Sequence, residues 1–315
     1  MLNAGVVYLY RFAEGKAPVH RFLESYKRHP AGLAHDLHVI FKGFPNRGAL
    51  DSARALFGST SFNAIEVDDA GYDIGSYFSA ASVIANPQLL FFNTFSELLA
   101  DNWLEHFGKA LDLPGVGLVG ATGSWQSGSS GYEAALLRVL RRPKYYLSRY
   151  FGSTVSTSSG SSGQADGDGP IDLRRLVRRV SRVSLYPLRV YEFGRHPNPH
   201  IRTNAFMVRK DVFLSLRGTA FKGKMDAYRF ESGRHSMTKQ VIARGLRPVV
   251  VDRWGRTYEI PDWRSSSTFW IDLQDNLLVA DNQTNNYAAG SSERRKILKN
   301  HAWDSPRSWD LLGPI

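Results

Sequence analysis

Residues 68–97 read DDAGYDIGSYFSAASVIANPQLLFFNTFSE, and their order of polar loop, helix-like segment and apolar strand decides the fold class. A glycine-punctuated loop carries Asp69 and Asp73 and leads into the helical segment Ile74–Ile84, closed by Asn86-Pro87. The run Leu89–Phe92 has strand character and breaks at Asn93-Thr94-Phe95-Ser96. This layout sets polar side chains at the C-terminal ends of two successive strands. Open α/β sheets bind ligands there, in the crevice between the departing loops.

The same alternation continues on both sides. Val6–Phe12 is a β-branched and aromatic run, and Ala17–His29 is amphipathic and ends at His29-Pro30. Leu37–Phe41 is a second strand closed by Lys42-Gly43-Phe44-Pro45-Asn46; Ala49–Phe57 has helical spacing, and Phe62–Val67 is a third strand. Downstream, Glu97–Leu111 reads as a helix and Val116–Val119 as a fifth strand. Alternation of this kind predicts an α/β protein with a mostly parallel central sheet flanked by helices, Rossmann-like in class.

The second half is less regular. Tyr132–Tyr150 reads as a basic amphipathic helix broken at Pro143, and Gly152–Pro170 as a flexible Ser/Gly-rich loop. Ile171–Val183 restores helical spacing, and its arginines are either solvated or meet anionic lipid or a partner. Strand patterns fall at Arg189–Phe193, Ala205–Val208 and Arg247–Val251, with a helix over Asp226–Ala243. Beyond Pro261 periodicity is weak. The chain therefore reads as one domain over 1–260, interrupted at 152–170, with a mixed, wrapping tail over 261–315.

Bulk properties narrow the function classes. With 315 residues, 43% hydrophobic and 22% charged, the chain can bury a substantial core. It has no cysteine, which excludes disulfides and thiolate metal sites and fits a reducing compartment. The opening MLNAGVVYLYRF reads as a strand rather than a signal peptide. No apolar run approaches the roughly 20 residues that span a bilayer. The expectation is a cytoplasmic protein, at most held at the inner face of the membrane. The net charge of +11 favours anionic partners or simply a solvated basic surface. No recognition motif supports nucleic acid beyond that charge.

Several familiar signatures are missing. There is no G-x-x-x-x-G-K-[ST], and Tyr10-Arg11-Phe12-Ala13-Glu14-Gly15 follows the first strand where a dinucleotide fold places G-x-G-x-x-G. Gly123-Ser124-Trp125-Gln126-Ser127 lacks the second glycine of a nucleophile elbow. His35 and His38 have no carboxylate at metal-ligand spacing. Polar residues at strand ends remain. Asp73 is either a helix-start carboxylate capping amides or a ligand contact, and Asn93 and Ser96 are either turn residues or sugar and diphosphate contacts. Glu231, in Arg229-Phe230-Glu231-Ser232-Gly233-Arg234-His235, is either a general base or a carboxylate favourable to a helix dipole.

The order of GYDIGSY (71–77), LLFFNTFSE (89–97), VGLVGATGS (116–124), RTNAFMVRKDVF (202–213) and FESGRHSMTKQVIARGL (230–246) resembles GT-A glycosyltransferases near family 2, most of all the bacterial rhamnan-synthesis type. The resemblance implies an inverting transfer from a nucleoside-diphosphate sugar to a saccharide or lipid-linked acceptor in surface-polysaccharide assembly. It implies a nucleotide pocket from Tyr10, Arg11, Asp69 and Asp73. Glu231 falls at the position of the catalytic base, and Asn93-Thr94-Phe95 at that of the metal-binding Asp-x-Asp. The missing carboxylates leave three outcomes open: Mg or Mn bound weakly through the diphosphate and Asp73, metal-independent chemistry, or a catalytically weakened sugar-nucleotide-binding or scaffold protein. For metal-independent chemistry, Arg202, Lys222, Lys224, Arg253 and Arg256 are the candidate cations. Peripheral membrane association is a further expectation.

Overall fold

A computed structural model describes residues 4–141, 173–218 and 221–309. Pro143 and the segment 152–170 lie outside the described residues, as does the predicted helix beyond Arg141. The first half runs β1 (Ala4–Arg11), α1 (Ala17–Arg28), β2 (His35–Lys42), α2 (Arg47–Ala55), β3 (Asn63–Val67), α3 (Tyr72–Val83) and β4 (Gln88–Phe92). It continues through β5 (Glu97–Leu98), α4 (Trp103–Leu111), β6 (Val116–Gly120), β7 (Gly123–Ser124) and α5 (Ser130–Arg141). Then come α6 (Leu173–Phe193), β8 (His200–Ile201), β9 (Ala205–Arg209), α7 (Lys210–Ser215), α8 (Lys224–Ser232), α9 (Met237–Ile242), β10 (Arg247–Val251) and β11 (Thr257–Tyr258). The last elements are β12 (Val279–Ala280), α10 (Asn282–Ala288) and α11 (Ser292–Trp303).

Eight strands form one sheet in the order β11-β10-β6-β9-β4-β1-β2-β3. β3, β2, β1, β4, β6 and β10 point the same way, whereas β9 runs antiparallel between β4 and β6, and β11 antiparallel on β10. This is the mostly parallel, helix-flanked α/β sheet that the alternation predicts. Strands covered on both faces carry near-continuous apolar runs, and β1 shows it. Its Val6, Tyr8 and Tyr10 enter one core with Phe22, Trp103 and Phe107, while Val7 and Leu9 enter the other with Ile74, Tyr77 and Phe213.

Three sequence expectations are corrected. Arg189–Phe193 is the last turn of α6, not a strand. Its β-favouring residues are overridden by packing and ion pairs, with Arg189 over the Tyr132 ring and bonded to Glu192 three residues on. Asp226–Ala243 is two helices, not one. Gly233 ends α8, and the Ser236 side chain, accepting from the Lys239 amide, starts α9. Glu97 does not open a helix: it pairs in β5 with β12, and α4 begins at Trp103.

Residues past 260 bury Trp263, Phe269, Trp270, Tyr287 and Trp303 in the second core. Trp263 is fully buried and its indole donates to the Tyr258 carbonyl at 3.0 Å. Trp263→Ala should therefore lower unfolding free energy by about 3–5 kcal/mol, read from the midpoint of denaturant unfolding at unchanged slope.

Candidate active site

All parallel strands end on one edge of the sheet, and a cavity of about 500 Å³ opens there beside β1, β2 and β3. Arg11 ends β1, Lys42 ends β2, and the loop after β3 carries Asp69. Arg11 grips Asp69 with two hydrogen bonds of 2.8 Å and reaches Glu14 at 3.2 Å. That pairing holds the Asp69 carboxyl below its ordinary range and raises Arg11. The loop can lie this close because position 43 is glycine. A Cβ there would meet Asp69 at 3.0 Å, and its φ of +70° disfavours other residues.

Lys42 is fully buried, yet it lines the cavity. Its ammonium donates to the Asp68 carbonyl at 3.2 Å and to the Ala70 carbonyl. Burial lowers its pKa, an effect opposed by Asp69, Asp73 and Asp68. The two bonds fix the loop from which α3 departs. Gly71 caps α3 at φ +76° and brings no side chain, so the first-turn amides of α3 stay available. Lys222, on the segment before α8, closes the rim with Phe221. Three cations thus face two carboxylates and a helix N-terminus.

Asp73, in the first turn of α3, makes no hydrogen bond or ion pair among the described residues. Burial raises its carboxyl above the ordinary range, with Glu14 and Glu231 adding to the rise and Lys42 and Arg11 opposing it. A carboxyl raised on folding binds its proton more tightly in the folded state. Stability therefore falls as pH climbs from the ordinary carboxylate value through the raised one. Asp73→Asn removes that slope. Its gain in melting temperature over the unmutated protein should be near zero in acid and largest at neutral pH, which thermal unfolding across pH checks.

Glu231 sits in the last turn of α8, outside the cavity lining, near enough for its charge to act on Asp73. One carboxylate oxygen accepts from the Thr203 hydroxyl and, at 3.4 Å, from the Thr203 amide. The other oxygen makes no hydrogen bond among the described residues. His200, on β8, is buried and feels the charge of Glu231; burial lowers its pKa, and its Nδ1–H donates to the Asn198 carbonyl at 2.9 Å.

The remaining candidates sit elsewhere. Tyr10 is 2% exposed and packs its ring on Phe41 and Phe44. The Asn93 side-chain oxygen accepts from the Phe95 amide at 2.9 Å and the Ser96 hydroxyl at 3.1 Å, which makes it a turn residue. Arg202 is bonded to Asp281 at 3.0 Å and lies 4.2 Å over the Phe269 ring. Arg253 donates to the Leu99 carbonyl at 3.0 Å. It follows β10, four strands from β1, about 19 Å along the edge at the usual strand spacing. The structure thus gathers Arg11, Asp69, Asp73 and Lys222, adds Lys42, sets Glu231 near them, and leaves Tyr10, Arg202 and Arg253 in structural contacts.

A resident Mg or Mn ion does not fit this donor set. Such ions take carboxylate and other oxygen ligands. Asn93 spends its amide oxygen on the turn, Asp69 is held by Arg11, and Asp73 stands alone. No group of three or more His, Asp or Glu side chains that could hold a metal occurs among the described residues.

The fold shares part of its course with solved structures. A crystal structure of S. aureus TarS is 10% identical, matching 38% of this chain and 34% of that one with a TM-score of 0.31. The mannosyltransferase PcManGT from Pyrobaculum calidifontis, in complex with GDP-Man and Mn2+, is 12% identical over 38% of this chain and 34% of its own, with a TM-score of 0.29. GalNAc-T7 with UDP, GalNAc and Mn2+ is 16% identical over 40% of this chain and 23% of its own, with a TM-score of 0.32. The match thus spans about a third of the TarS structure. No protein-family model matches the chain, and no curated protein matches it.

Proposed function

We propose that the protein is an inverting glycosyltransferase that uses a nucleoside-diphosphate sugar and a saccharide or lipid-linked acceptor. The cavity carries this reading, since Arg11, Lys42 and Lys222 meet the N-terminus of α3 in a space of about 500 Å³. That volume suits a nucleotide-sized ligand, and fixed cations with helix amides suit its phosphates. The ordered motifs at strand ends support the same reading.

In this reaction the acceptor hydroxyl oxygen attacks the anomeric carbon from the face opposite the leaving group. The bond from that carbon to the diphosphate oxygen breaks, and the acceptor proton passes to the unbonded oxygen of Glu231. Thr203 holds the carboxylate so that this oxygen faces the acceptor. The electron pair leaves on the nucleoside diphosphate, where Arg11, Lys42 and Lys222 offset the growing negative charge. Preorganised cations stabilise such a transition state without moving.

The turn role of Asn93 favours a second reading, a sugar-nucleotide binder with little turnover. Incubation with UDP-, GDP- and dTDP-sugars, followed by mass spectrometry of the products, separates the two. Release of a nucleoside diphosphate from at least one donor, accelerated by an acceptor, supports the enzyme. Binding without release supports the second reading, and neither binding nor release contradicts both.

A further inference from the structure

On the outward side of α6, Leu185, Leu188 and Tyr191 are 39%, 50% and 68% exposed at successive three-residue steps. The inward side of the same stretch carries Arg189, Glu192 and the fully buried Phe193. A row of large apolar side chains thus stands where a helix on a globular core normally shows polar residues. Contiguous exposed apolar surface marks interaction sites.

A cavity of about 280 Å³ opens beside this row, between α6 and α8, and Tyr191, Phe230, Arg217, Arg234 and His235 line it. Its two carboxylates are already engaged. Glu192 is bonded to Arg189 and Arg229, and Asp226 to Arg229 and the Gly223 amide. Arg217 and Arg234 form no ion pair among the described residues, and the Arg234 guanidinium lies 5.2 Å over the Tyr191 ring. The cavity is therefore a positively charged rim beside an apolar stripe. Asp226, Arg229 and Phe230 lie on one side of α8, and Glu231 lies about 100° round the helix from Phe230, so this is not the catalytic face.

We propose that the outer face of α6, with the arginine-rimmed cavity beside it, docks on a bilayer surface bearing anionic lipid headgroups. The leucines and Tyr191 enter the headgroup boundary, and Arg217 and Arg234 meet lipid phosphates. An apolar stripe beside unpaired basic residues is the composition that holds a helix in a bilayer interface. The overall charge of +11 adds long-range attraction to such a surface. No helix of the described residues is long and apolar enough to cross a membrane, so the contact is peripheral. The inference goes beyond the reaction proposed above and does not depend on it.

Co-sedimentation with vesicles tests it, comparing phosphatidylcholine alone with phosphatidylcholine containing phosphatidylglycerol. The full chain should bind the anionic vesicles and lose that binding as salt rises. Leu188→Asp and Tyr191→Asp should each abolish it. Arg217→Gln and Arg234→Gln should each weaken it about fivefold. Leu113→Asp, an exposed position in the loop before β6, should leave it unchanged, and circular dichroism checks that every variant is folded. Four results overturn the proposal: no binding, equal binding to neutral vesicles, full binding by Leu188→Asp, or vesicle-independent self-association that Leu188→Asp removes. The last would assign the face to a second copy of the chain.

Discussion

Glu231→Gln is expected to lower turnover by about 10²–10⁴-fold, the usual contribution of a positioned general base. Nucleoside diphosphate affinity should stay within about twofold, because in the proposed reaction the side chain meets the acceptor rather than the donor. The amide keeps the shape of the carboxylate and still accepts from Thr203, so stability should barely move. The Thr203 contact offers a second handle on the same group. Thr203→Val frees the carboxylate to rotate and should reduce kcat more than KM. If Glu231→Gln turns over normally, the base lies elsewhere, and the Thr203 contact is simply what secures the end of α8.

The second large effect is expected at Lys42. Replacement by Met keeps the buried chain length but removes the ammonium that holds the Asp68 and Ala70 carbonyls and faces the cavity. Loss of a charge-assisted bond to a phosphate predicts about 10–100-fold weaker binding of a nucleoside diphosphate. Lys42→Arg should not rescue it, since a guanidinium is too broad for a fully buried site and presents a fork rather than a point charge. Calorimetric titration of UDP and GDP into both variants reads the loss. Unchanged affinity in Lys42→Met would reduce the lysine to a loop fastener.

The sheet was legible because its strands obey simple rules. Val6–Tyr10 and Leu89–Phe92 are apolar on both faces, and His29-Pro30 and Asn86-Pro87 punctuate the helices between them. Arg189–Phe193 is not legible as helix, because its β-type residues outweigh the local Arg189–Glu192 pair and the packing on Tyr132 is joined only by the fold. At the site, Asp69 and Asp73 could be read from their place after a strand. Lys42 falls in the turn that closes the strand Leu37–Phe41, and a lysine at a strand's C-terminal end is itself a sequence signal for the site. Thr203 gave none; it is joined to Glu231 only by the fold. Arg202 and Arg253 were plausible by charge, and partners 79 residues away for Arg202 and 154 for Arg253 take them up instead.

The Asn93 turn lies outside the cavity lining and is held by its own contacts. A tyrosine buried in β1, Tyr8, donates to the Thr94 carbonyl at 2.9 Å and anchors that turn from below. With that amide oxygen engaged, the proposed reaction draws the positive charge offered to a diphosphate from Arg11, Lys42 and Lys222 and from the amides of α3.

Titration of UDP, GDP and dTDP into the protein by calorimetry, once with EDTA and once with Mn2+, tests the central claim most directly. At least one nucleotide should bind with EDTA present, with an affinity that Mn2+ changes little and Lys42→Met lowers. Binding that requires Mn2+ would contradict the role given to the fixed cations, and no binding of any nucleotide under either condition would contradict the site itself.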